Sequence, residues 1–223
     1  GHELRTPLNA INGFSEILAT ESLGPLGQEA YREYSRHILN SGRHLLDLIN
    51  NILDLTRLEY NAVDPDADPV DITGLIKNIA GQMQATAAAK QIELSASSAP
   101  VYLHADARLL RQALFNLIGN AVKFSPAGTT VEIIGEVTSG GEFLLRVGDA
   151  GPGIPTDDRE RVVQPFQQAD DRLARRHEGL GLGLYIVRVI AEGHGGRLSI
   201  GQSVQGGAEV AVGLPADRIV QTQ

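Results

Sequence analysis

The chain has 223 residues, 42% of them hydrophobic but only 4% aromatic and none of them Trp, so it can build one large domain or two small ones on aliphatic cores. A formal net charge of −8 argues against a nucleic-acid binder, which needs a basic face. The absence of Cys excludes disulfides and thiolate chemistry and suits a reducing cytoplasm, and no apolar run reaches the ~20 residues that cross a bilayer. The first residue is Gly within a helical pattern, so the expectation is a cytoplasmic piece of a longer protein, whose membrane attachment this stretch leaves undecided.

Leu4, Leu8, Ile11 and Leu18 recur at helical spacing, with Phe14 and Ile17 beside them and Ser15 interrupting the stripe, which predicts a first helix. Residues 20–28 carry two Gly and one Pro and read as a turn. In the second helix Tyr34, Ile38, Ser41, Leu45, Leu48, Ile52 and Leu55 alternate steps of four and three, a heptad seam flanked by Leu46, Ile49 and Leu53. Two adjacent stripes are wider than one hairpin contact needs, so a homodimer closed as a four-helix bundle is expected. The stretch 61–71 holds two Pro and four Asp and marks a domain boundary.

Beyond it the pattern predicts helices over Ile72–Ala89, Arg108–Phe124 and Leu182–Glu192, the last ended by Gly193. Strands are predicted over Ile92–Ala96, Val101–His104, Val131–Val137, Phe143–Gly148, Arg197–Ile200 and Ala208–Leu214, with a hairpin turn at Ser139-Gly140-Gly141. Helices and strands mix without strict alternation, so an α+β fold is expected: a helical hairpin, then a two-layer α/β sandwich. The domain division is 1–62, a linker at 63–68, a second domain at 69–215 and a tail at 216–223.

Chemistry concentrates in four places. On a helix His2 lies about 160° from Leu4, away from the apolar stripe, with Thr6 about 40° from it one turn on and Asn9 on the same face. A solvated imidazole with its ordinary pKa of about 6.5 is largely neutral at pH 7 and nucleophilic, and the adjacent Glu3 can take the ring proton or hold the tautomer. Pro7 cannot bond the Glu3 carbonyl, so it either kinks this helix or sits in its permissive first turn. Asn116, Asn120 and Lys123 share one helical face opposite Leu110, Leu114, Leu117 and Ile118, which suits either a polar surface or a site for phosphates and a metal. Asp149-Ala-Gly151-Pro-Gly153-Ile154 follows a strand, and an ionised Asp only accepts hydrogen bonds, so it can select an amino-purine. Gly179-Leu-Gly181-Leu-Gly183-Leu184 opens a helix whose N-terminal N–H groups and dipole favour phosphate. It follows no strand directly and starts no βαβ unit, which disfavours a dinucleotide fold.

In this order and spacing, Gly1-His2-Glu3-Leu4-Arg5-Thr6-Pro7-Leu8-Asn9 and the three islands resemble the catalytic core of two-component sensor histidine kinases over nearly the whole chain. The resemblance implies a protein-histidine kinase that autophosphorylates His2 from ATP. It then passes the phosphoryl group to an Asp of a response-regulator receiver domain, often with reverse phosphatase action. It makes Asn120 the Mg²⁺ ligand with Asn116 and Lys123 near the phosphates, and Asp149 the acceptor for the adenine amine. Pro165-Phe166-Gln167-Gln168 looks like the Phe box, and in the following lid Arg175 or Arg176 reaches the terminal phosphate. Val163 replaces a usual aromatic, Gln164 a frequent acid and Val210 a common Phe, and Glu178 precedes the third Gly box; none of these removes a phosphate or adenine contact. Two alternatives stay open: an ATPase of the gyrase, mismatch-repair or chaperone type, disfavoured because Asn116 stands where its Glu would be, and a catalytically silent scaffold.

Overall fold

The computed structural model describes residues 2–22, 24–27, 29–40, 42, 45, 68–167 and 181–220, with the backbone alone at 2–7 and 10. It divides into two compact units, Gly1–Arg57 and Leu58–Gln223. The predicted seam positions Ser41, Leu48, Ile52 and Leu55, and the flanking Leu46, Ile49 and Leu53, lie outside the described residues.

In the first unit α1 (His2–Ala19) runs continuously through Pro7, and α2 covers 29–40. The turn between them is tied at Glu21, which adopts φ 52°, accepts the Leu26 N–H at 3.1 Å and pairs with Arg32 at 2.8 Å. The Arg32 guanidinium and the Leu26 N–H hold the Glu21 carboxyl below its ordinary pKa. The hairpin interior is built differently from expectation. Ser15, which interrupts the apolar stripe, is buried with Leu8, Ser35 and Leu39, and Gly42 lies directly against Asn12. Small residues let the helices approach closely, and the apolar stripe of Ile11, Phe14 and Leu18 faces outward instead. Tyr34 (61% exposed), Ile38 (49%) and Leu45 of the predicted seam are likewise uncovered within one chain.

The second unit begins with β1 (Pro69–Asp71), inside the Pro- and Asp-rich stretch; Pro is tolerated there as the first residue of an edge strand. Asp71 caps α3 (Ile72–Ala89), its carboxylate accepting the Gly74 N–H at 3.0 Å. There follow β2 (Glu93–Ser98), β3 (Tyr102–His104), α4 (Ala107–Phe124), β4 (Thr130–Val137), β5 (Phe143–Gly148), the single turn α5 (Arg159–Val162), α6 (Gly183–Gly193), β6 (Arg197–Gln202) and β7 (Ala208–Leu214). The main sheet has five strands in the order β2-β4-β5-β7-β6, antiparallel except for the parallel pair β2/β4; β1 and β3 form a separate antiparallel ribbon.

Alternation along the strands decides which face is covered. Val131 and Ile133, then Phe143, Leu145 and Val147, are buried with Ile76 and Ile79 of α3, Leu114, Leu117 and Ile118 of α4 and Ile186 and Ile190 of α6. Each such side chain contributes about 1.5–3 kcal/mol by leaving water. The intervening Glu132, Ile134, Glu136, Leu144 and Arg146 are half-buried on the opposite face, where Arg146 pairs with Glu136 at 2.9 Å and Glu209 at 3.6 Å. The result is the two-layer sandwich of the α+β expectation.

Two ends differ from the sequence reading. Gly193 remains helical, and the left-handed residue that stops α6 is Gly195 (φ 75°), with Gly196 N–H donating to the Ala191 carbonyl at 2.8 Å. Residues 216–220, set apart as tail, fold back onto β3: Ile219 bridges Leu103, and the Val220 N–H donates to the Tyr102 carbonyl at 2.9 Å. The buried Arg218 donates to the His104 carbonyl at 3.3 Å.

Candidate nucleotide-binding site

α4 is amphipathic, so burying Leu114, Leu117, Ile118 and Ala121 leaves Asn116, Asn120 and Lys123 on its half-buried flank. Asp106 caps its start by accepting the N–H groups of Arg108 (2.8 Å) and Leu109 (3.1 Å). Its last turn is held by the Lys90 ammonium, which donates to the carbonyls of Val122 (3.3 Å) and Lys123 (3.2 Å). The Lys123 ammonium stands 4.9 Å from the Phe124 ring centre.

The Asp149 and Gly181–Leu184 islands meet this helix from two sides. A Cβ at Gly183 would stand 3.2 Å from Asn120 Nδ2 and 3.6 Å from Asn116 Oδ1, so the start of α6 lies against both amides. A Cβ at Gly151 would stand 2.9 Å from the Phe124 carbonyl oxygen, so the loop after β5 closes on the end of α4. Gly181 has φ 68° and abuts the Gln167 backbone; the preceding Phe166 is itself left-handed at φ 63°, with its ring exposed. Gly153 is left-handed at φ 73°, Leu184 is half-buried, and the Ile154 carbonyl accepts from Arg159 Nε at 3.3 Å.

Asp149 directly follows β5 and is buried, 8% exposed. Its Oδ1 accepts two backbone N–H groups, from Gly151 at 2.8 Å and Ala208 at 3.0 Å. Burial pushes its carboxyl above the ordinary carboxylate pKa, and those two N–H bonds oppose the shift. Among the described residues Oδ2 takes no protein hydrogen bond. Gly207 presses against Asp149 so closely that any side chain there would strike the carboxylate. Sequence reading missed Gly207, Ala208 and Lys90; the signal was the Gly206-Gly207 pair just ahead of the last strand.

Nor do the Asn116 and Asn120 side chains bond to protein among the described residues, and α6 has no side-chain cap over its first N–H groups. Half-buried free amides beside an uncapped helix N-terminus fit phosphate oxygens and one hard cation. No group of three His, Cys, Asp or Glu gathers among the described residues, so a cation here would take most of its oxygens from the nucleotide and water. The side chains of His2, Glu3 and Thr6, and all of Arg175, Arg176 and Gly179, lie outside the described residues; the backbone of the first three is in α1. No helix among the described residues is long and apolar enough to cross a membrane.

Comparison with known proteins follows the same two-unit division. The His Kinase A (phospho-acceptor) domain family matches residues 1–61, and the histidine kinase-, DNA gyrase B- and HSP90-like ATPase family matches residues 105–218. An uncharacterized sensor-like histidine kinase of Rhizobium meliloti is 38% identical over 97% of this chain and 41% of its own length. The cell-division control histidine kinase PdhS of Brucella ovis is 34% identical over 98% of this chain and 22% of its own length. The crystal structure of full-length ShkA in complex with AMPPNP superposes with a TM-score of 0.77 at 36% identity, covering 96% of this chain and 44% of that one. The chain therefore spans less than half the length of each of these relatives.

Proposed function

The chain belongs to the sensor histidine kinases, carrying their phospho-acceptor and ATPase domains in that order, and on that premise we propose that it transfers the γ-phosphoryl group of ATP to His2. The observation that carries this reading is the convergence of the three islands: Gly183 against Asn116 and Asn120, and Gly151 against the end of α4. Asp149 Oδ2 accepts the adenine exocyclic amine while its Oδ1 is held by Gly151 and Ala208. Gly151 and Gly153 let the backbone approach the base, with Ile154 beside it. Asn116, Lys123 and the N–H groups after Gly181 and Gly183 hold the phosphates, and Phe166, Gly179, Leu184 and a lid Arg, Arg175 or Arg176, complete the enclosure. Asn120 supplies one oxygen to Mg²⁺, which neutralises charge on the terminal phosphates when bound.

At the acceptor, a neutral His2 ring nitrogen attacks the γ-phosphorus as the bond to ADP breaks, and Glu3 receives the ring proton. We further propose that the phosphoryl group moves from His2 to an Asp of a response-regulator receiver domain. Thr6 orients water for the reverse phosphatase reaction. The uncovered Tyr34, Ile38 and Leu45 support a homodimer through the hairpin. The deciding experiment is incubation with γ-labelled ATP and Mg²⁺. Acid-labile, base-stable label that disappears in His2→Gln while ATP binding persists is expected; label that survives the substitution refutes His2 as acceptor.

A further inference from the structure

α4 and α6 lie antiparallel. Gly183 at the start of α6 meets Asn116 and Asn120 in the later turns of α4, and His194 just past the end of α6 meets Asp106 at the cap of α4. The 11 residues of α6 place these two contacts about 16 Å apart. His194 has no solvent exposure, and both ring nitrogens are engaged. The Asp106 backbone N–H points at Nε2 from 3.1 Å, and an amide N–H only donates, so Nε2 holds the lone pair. The ring proton is therefore on Nδ1, which donates to the Ile190 carbonyl at 2.7 Å. The same Asp106 caps α4 with its carboxylate. Apolar packing between the helices is non-directional and permits sliding, whereas a buried hydrogen bond fixes axial position.

We propose that His194 is a positioning residue for the nucleotide: its bond to Asp106 sets the register of α6 against α4, and hence the gap between Gly183 and Asn120. This rests on the reading of that gap as the phosphate site. The ionisable groups around the ring are Asp106 from the α4 cap and Arg218 from the turn after β7, itself bonded to the β3 residue His104; Glu192 of its own helix is exposed. Burial holds the imidazole below its ordinary value, opposed by the Ile190 carbonyl; Arg218 adds to the lowering and Asp106 opposes it. A depressed pKa means that the unfolded chain takes up a proton more readily than the folded one. In the folded chain the bond persists below the free imidazole value of about 6.5 and breaks only as pH reaches the depressed folded pKa. The stability it contributes relative to the unfolded chain is full above about 6.5 and is lost as pH falls from there through the folded pKa. A protonated Nε2 would face the Asp106 N–H donor to donor.

The test uses the whole chain with His194→Leu and His194→Gln, measuring Mg²⁺-ATP affinity by calorimetry from about pH 7.5 down to the onset of acid unfolding, with melting alongside. Gln offers one acceptor and one donor on a group that does not titrate. Expected at the higher pH is about tenfold weaker binding for Leu and near-normal binding for Gln. On acidification the unsubstituted chain should lose affinity faster than the Gln variant, a comparison that cancels the titration of ATP itself. Normal affinity in a folded Leu variant overturns the proposal, as do coincident pH profiles of Gln and His. Should Leu not fold, the Gln profile decides. If the unsubstituted chain binds no ATP at any pH, the nucleotide reading itself fails and takes this proposal with it.

Discussion

In the proposed site Asp149 divides one carboxylate between structure and recognition. Oδ1 is consumed by two backbone N–H groups, and Oδ2 remains for a ligand. Because burial raises its pKa, ionised Asp149 costs the empty fold stability: the contribution is favourable at low pH and lost as pH rises through the folded pKa. Asp149→Asn keeps an Oδ1 acceptor and removes the buried charge. It should therefore melt no lower than the native chain without nucleotide, yet bind ATP at least ~10-fold more weakly, since a charge-assisted bond contributes ~1.5–3 kcal/mol. Calorimetry with parallel melting checks both halves; equal affinity would remove Asp149 from the site. Gly207→Ala should weaken ATP by a similar factor and also lower the melting temperature, because its methyl collides with the Asp149 carboxylate and with the backbone of Asp149 and Gly151. Asp149 was legible because Asp-x-Gly-x-Gly is local; its brace at Ala208, 59 residues on, was not, because strand pairing rather than spacing brings it there.

At the scale of elements, periodicity located nearly every helix and strand of the second unit, and it erred where side-chain size outweighed hydrophobicity. Ser15 broke a stripe on paper and fills the hairpin interior in the fold, since close helix approach needs a small residue there. β1 hid in a run of Pro and Asp because a three-residue edge strand carries too little alternation to read. The stop signal of α6 was displaced from Gly193 to Gly195, because only φ decides which of neighbouring glycines is left-handed. The exposed stripe makes a prediction at this scale: Tyr34→Glu with Ile38→Glu should convert a dimer to a monomer, read by light scattering, since charge at a heptad seam opposes association. A second concerns the Phe166–Gln167 segment. Gly181→Ala needs a left-handed Ala and pushes on the Gln167 backbone, so it should lower the melting temperature more than Gly183→Ala, whose methyl meets the amide side chains of Asn120 and Asn116.

At the scale of the molecule, the mixed α+β character followed from the sequence, but the strand order β2-β4-β5-β7-β6 did not, because nothing local specifies that β7 inserts between β5 and β6. The two compact units predict separable effects: Tyr34→Glu with Ile38→Glu should leave ATP affinity unchanged within about twofold, because the residues proposed to bind the nucleotide all lie in the second unit. A parallel loss of affinity, seen by calorimetry, would show the units to be coupled. The brace from Ala208 to Asp149 also has a consequence for the order of events at the ribosome. During synthesis the carboxylate emerges well before the strand that fixes it, and the β5–β7 ladder closes late over a long loop. ATP therefore has no formed pocket to nucleate around until β7 has been made. It can reward only molecules whose β7 has already zipped home between β5 and β6, acting as an inspector of finished sheets and not as a template for them.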